Sequence, residues 1–190
     1  MNTEGGGAGR VHRGNGRKTC PWLPQRALCP QTSRGRQEAF DGPSGIAYDT
    51  IVVIVLDTNV LNSALRSRRG ASFRLLSMVG TGRFDIALTV PLVLEYDGVA
   101  DRMLADLAVS AGDLSDILDY LCSVAIHRPV FFLWRPTLAD PKDDMVLELA
   151  VDAGAPVIVT FNLRDFVGVD RFGIRALTPR EYLQEIAEIP

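Results

Sequence analysis

The hydrophobic pattern of the chain changes character at Ile51. Ile51-Val52-Val53-Ile54-Val55-Leu56 is an unbroken apolar run, mostly β-branched, and Asp57 ends it. A run of that length without polar alternation predicts a strand covered on both faces, as in a parallel sheet. Phe84 to Val90 and Pro156 to Thr160 carry the same pattern, and Val130 to Trp134 predicts another strand. Between these runs the period lengthens. Leu114, Ile117, Leu118, Leu121, Cys122 and Ala125 recur at helical spacing, which predicts an amphipathic helix with Asp113 as its cap. Val146, Leu147, Ala150 and Ala153 predict a second helix ending near Gly154, and Pro91 suits the first residue of a third. Thr178-Pro179-Arg180-Glu181 has the spacing of a capping box and predicts a further helix start. Strands alternating with helices predict an α/β sandwich around a mostly parallel sheet.

Nothing comparable precedes Ile51. Residues 1–48 hold nine of the 17 glycines, together with Pro21, Pro24, Pro30, Pro43 and scattered Arg and Gln. Such a segment buries little, so it is expected to be a disordered extension, with 49–190 as one folded domain. The net charge of -3 then divides unevenly: seven basic and four acidic residues precede Ile51, against thirteen and nineteen from there on. No apolar run approaches the roughly 18 to 20 residues that span a bilayer, so no membrane association is expected. The first fifty residues lack the apolar stretch of a secretory signal, and three cysteines make no complete disulfide framework. Both features fit a reducing, cytoplasmic setting.

The acidic residues cluster at predicted strand ends and helix starts. Asp57 follows the first strand directly, where the crevice of an open parallel sheet lies, although a lone Asp there also suits a helix cap. Glu95, on a helix beginning at Pro91, shares a stripe with Leu92, Val99 and Met103. A carboxylate on an apolar face needs a cation, a hydrogen-bond cluster or an opening to water. Asp140-Pro141-Lys142-Asp143-Asp144 opens the helix of Val146, Leu147 and Ala150; either Asp143 or Asp144 is spaced to point inward. The fourth cluster, Thr160-Phe161-Asn162-Leu163-Arg164-Asp165-Phe166, follows another apolar strand. Four oxygen-bearing clusters at such ends are what a parallel sheet gathers into one crevice.

These segments, Asp57-Thr58-Asn59-Val60, Pro91-Leu92-Val93-Leu94-Glu95-Tyr96, Asp140 to Asp144 and Thr160-x-Asn162-x-x-Asp165-Phe166, resemble the four motifs of PIN-domain proteins. They are most similar to the toxin components of bacterial toxin-antitoxin systems. The resemblance covers about residues 52–185. It implies a three-layer α/β/α fold with a central parallel sheet of about five strands, and a metal-dependent ribonuclease activity. It further implies Asp57, Glu95 and Asp143 or Asp144 as acidic ligands, Asn162 or Asp165 at the fourth position, and Thr160, with Asn59, as orienting residues. A cognate antitoxin and a homodimer are the partners it suggests.

Clustered carboxylates repel one another and a phosphate, and a hard cation, Mg2+ or Mn2+, reverses both effects. Asn162 brings no charge, which leaves the number of metals open. For RNA phosphates the candidate contacts are Arg66, Arg68, Arg69, Lys142 and Arg164. The acidic body favours a local, metal-centred hold on single-stranded RNA over broad electrostatic binding. Phe161 and Phe166 are candidates for base stacking or for the core. A phospho-aspartate phosphatase would need a second Asp where Asn59 stands. The serious rival is a PIN-like module that binds nucleic acid or protein without cutting.

Overall fold

A computed structural model of the protein describes residues 51–106, 110–129, 137–138 and 140–189. The expectations for residues 1–48 and for a strand at Val130 to Trp134 lie outside these residues. The described strands are β1 (Val53–Leu56), β2 (Asp85–Leu88), β3 (Ile126–His127), β4 (Val157–Val159) and β5 (Arg175–Leu177). They pair in parallel throughout, in the order β3-β2-β1-β4-β5. The helices are α1 (Thr58–Arg66), α2 (Ala71–Met78), α3 (Val90–Met103), α4 (Ala111–Val124), α5 (Pro141–Ala153) and α6 (Pro179–Glu185).

Successive residues of a strand face opposite sides of the sheet. Ile54, Val55 and Leu56 of β1 are all buried, and so are Val157, Ile158 and Val159 of β4. Both faces are therefore covered, which makes the expected α/β sandwich. The short edge strands β3 and β5, two and three residues long, had no legible run of their own.

Helix starts differ in detail from the sequence expectation. Asp113 is not the cap of α4: Ser110 is, and Asp113 closes a capping box from the third helical position. The Thr89 hydroxyl caps α3 by accepting from the Leu92 amide, so Pro91 is the second helical residue. The capping box of Thr178 and Glu181 forms as read. Asp140 caps α5, and Gly154 ends it in the left-handed conformation at φ 63°.

The strand order fixes where a site can form. From β1 the chain moves out to β2 and β3 on one side, then crosses to β4 and β5 on the other. Such a reversal opens a crevice at the carboxyl ends of the two central strands. Those strands are β1 and β4, in register with Leu56 opposite Val159. The next residue of one chain segment is Asp57, and of the other Thr160.

Candidate active site

Asp57 stands at the N-cap position of α1, yet its side chain makes no capping hydrogen bond. It turns across the crevice instead. Its Oδ2 accepts from the Thr160 hydroxyl at 2.6 Å and from Asn59 Nδ2 at 2.6 Å. Thr160 Oγ1 in turn accepts from Asn59 Nδ2 at 3.1 Å and from the Asn162 amide at 2.9 Å. Asn59 Oδ1 accepts from the Phe161 amide at 3.1 Å. A hydroxyl has one proton and two acceptor sites. With both acceptor sites taken, the Thr160 proton goes to Asp57. Burial raises the pKa of Asp57, and the hydrogen bonds it accepts, that of the Thr160 hydroxyl first, oppose that rise.

Glu95 reaches the crevice from α3. The fully buried stripe of that helix is Leu92, Tyr96 and Ala100, with Glu95 half-buried at its edge. Val99 is also only half-buried, and the Met103 side chain lies outside the described residues. Tyr96 donates its hydroxyl proton to the carbonyl of Leu56, the residue before Asp57. This bond ties α3 to the end of β1. The signal for that role in the sequence is the place of Tyr96 four residues after Leu92, on the same helix face. Burial raises the pKa of Glu95, the Asp57 charge adds to the rise, and Lys142 opposes it.

The first turn of α5 divides its two candidates. Asp144 is buried, and its carboxylate accepts from the Leu138 amide at 2.9 Å and from the Thr137 amide at 3.0 and 3.1 Å. It fastens the segment before the helix. Asp143 is half-buried, and its carboxylate is within reach of the charges of the others. Burial pushes its pKa up to about 6, with the charges of Asp57, Asp140, Asp165 and Glu95 contributing in that order.

At the fourth position, Asp165 acts on Asp143 through its charge, whereas Asn162 is exposed and enters the network through its backbone amide. Lys142 and Arg164 are exposed, and the Lys142 charge acts on Glu95. Arg66, Arg68 and Arg69 are exposed too, but at or beyond the far end of α1. At 1.5 Å per residue that is about 12 Å along the axis from Thr58.

Among the described residues, no three His, Cys, Asp or Glu side chains converge tightly enough to hold an ion as they stand. The donor chemistry nevertheless fits a hard divalent cation: Asp57, Glu95 and Asp143 offer only oxygen, with negative charge in excess. Thr58 Oγ1, beside Glu95, is buried without a hydrogen-bond partner of normal geometry.

An open parallel sheet with acidic residues at its reversal point offers the oxygen donors that a divalent-metal site uses. A family model of the PIN domain matches residues 53–164, more than half of the chain. The protein belongs to the PIN-domain family, a family of metal-dependent nucleases. The match runs from β1 through the turn after β4 and so contains Asp57, Glu95, Asp143 and Asn162. No curated protein matches the sequence.

Proposed function

We propose that the protein is a metal-dependent endoribonuclease that hydrolyses phosphodiester bonds in single-stranded RNA, and that it serves as the toxin of a toxin-antitoxin system in the cytoplasm. The observation that carries this reading is the fixed orientation of Asp57. Thr160 and Asn59 hold Oδ2, which fixes the carboxylate at the carboxyl ends of β1 and β4. Glu95 and Asp143 stand near enough to feel its charge. In this reading Asp57, Glu95 and Asp143 hold Mg2+ or Mn2+, with Asp165 behind Asp143 as the fourth acid. Bound there, the metal supplies the positive charge that lets a phosphate approach and a water lose its proton. Lys142 and Arg164 meet the flanking phosphates as charge partners.

The toxin assignment rests on the likeness of the four motifs to toxin components. A cognate antitoxin is its partner, and copurification with the product of an adjacent gene tests it. A homodimer belongs to the same proposal. Val90 and Leu94, 72% and 65% exposed one turn apart on α3, give a second copy an apolar contact. A non-cutting PIN module is the second reading, favoured by the neutral Asn162. Cleavage of labelled RNA in Mg2+ or Mn2+ by the wild type, and its loss in Asp57→Asn, separates the two.

A further inference from the structure

The two phenylalanines of the turn after β4 have opposite fates. Phe166 is 2% exposed and packs into the core, anchoring the turn, which the Asp165 and Phe166 amides close by donating to the Asn162 and Leu163 carbonyls. Phe161 is 48% exposed. The local fold holds it by its backbone, through the amide bond to Asn59, and leaves about half of the residue open to solvent. Isolated apolar residues on a surface are ordinary. This one stands next to Thr160, two hydrogen bonds from the Asp57 carboxylate, and Leu163 and Arg164 are exposed in the same turn. Its backbone is pinned between a fully buried residue and an anchored turn, so the ring is presented from a fixed base.

We infer that Phe161 is the platform on which the unpaired base beside the scissile phosphate stacks. This deepens the nuclease reading and rests on it. An aromatic face accepts any base, while a paired base has both faces covered by its neighbours in the helix. Arg164, three residues on, adds a charge for the adjoining phosphate. The platform therefore selects single-stranded over duplex RNA at the bond to be cut, without reading sequence.

The test uses the full chain, a short fluorophore-labelled single-stranded RNA of mixed sequence, and the same RNA annealed to its complement. Cleavage in Mg2+ maps the cut bond and gives kcat and KM; anisotropy with Ca2+ in place of Mg2+ gives Kd. Phe161→Ala is expected to raise KM and Kd for the single strand by about 5- to 150-fold, the range of base–aromatic stacking. Its kcat stays within about threefold of wild type, as for a uniform binding contact. Phe161→Trp restores the affinity, and an RNA that is abasic beside the cut bond binds wild type and Phe161→Ala alike. Unchanged KM and Kd in Phe161→Ala overturn the inference. So does an equal loss for the duplex or the abasic strand, or a loss confined to kcat. If the wild type cuts no RNA, the nuclease reading fails, and the Kd comparison still decides the platform: tighter single-strand binding by wild type upholds it, equal binding removes it. A response of basic-peptide binding, but not of RNA binding, to Phe161→Ala assigns the ring to a protein partner and also overturns it.

Discussion

Thr160, the first residue after β4, donates its hydroxyl proton to Oδ2 of Asp57, the first residue after β1, at 2.6 Å. The two are 103 positions apart in sequence, and the parallel pairing of β1 with β4 makes them neighbours. Because the hydroxyl also accepts from Asn59 and from the Asn162 amide, its single proton has no other direction. Thr160→Ser keeps this arrangement and Thr160→Val abolishes it. A hydrogen bond to a charged group contributes about 1.5 to 3 kcal/mol. Cleavage should fall at least about tenfold in the Val variant and remain near wild type in the Ser variant, since about 1.4 kcal/mol of lost positioning is a factor of ten. Equal rates for both variants would mean that the hydroxyl does not position Asp57.

Asp143 and Asp144 should separate activity from stability. Asp144 accepts from two amides, that of Leu138 and that of Thr137, the latter shared between both carboxylate oxygens. Asp144→Ala takes this partner from the buried Leu138 amide, at a cost of about 1 to 3 kcal/mol. Its urea midpoint should drop clearly. Asp143→Asn removes a carboxylate that its surroundings disfavour, so its midpoint should hold or rise while cleavage is lost. The opposite pattern in urea titrations and RNA assays would exchange the two roles.

The same contrast has a pH signature. Asp143 has a folded pKa of about 6 against an ordinary 3.8, so the folded chain holds that proton more tightly than the unfolded chain does. Its stabilising contribution is complete below about pH 4 and is lost as the pH rises through about 6. Glu181, Glu185 and Glu188 are shifted downward and contribute in the opposite sense, so the comparison must be wild type against Asp143→Asn. Without metal, wild type should lose thermal stability relative to that variant between pH 4 and pH 7. Added Mg2+ should recover more at pH 7 than at pH 5, because protons compete for the same oxygens. A difference in Tm that does not change with pH would contradict this charge assignment.

Much of the scaffold was legible because its signals are local. The apolar run of Ile51 to Leu56 and the box of Thr178 and Glu181 each declare an element within a few residues. β3 and β5 did not, since two or three residues at a sheet edge carry no period. The acidic positions were legible for another reason: a carboxylate at the end of an apolar strand or beside a helix stripe is costly enough to stand out. Spacing could not separate Asp143 from Asp144, which lie side by side in one helical turn. Their difference came from the Thr137 and Leu138 amides, a contact that depends on how the preceding segment folds back.

Asp57 is the residue on which the functional account depends most. In Asp57→Asn the side-chain oxygen can still accept from Thr160 and Asn59, so the fold should persist, with thermal stability equal to or above that of wild type. What disappears is the buried negative charge that a hard cation requires. The most direct measurement is the rate at which the purified wild type and Asp57→Asn cleave labelled single-stranded RNA, with Mg2+, with Mn2+ and with EDTA. The account predicts metal-dependent cleavage by wild type, none in EDTA, and at least about a 100-fold loss in the folded variant, the scale of removing one preorganised electrostatic contact. Equal cleavage by both proteins, or no cleavage by the wild type with either metal, would contradict it.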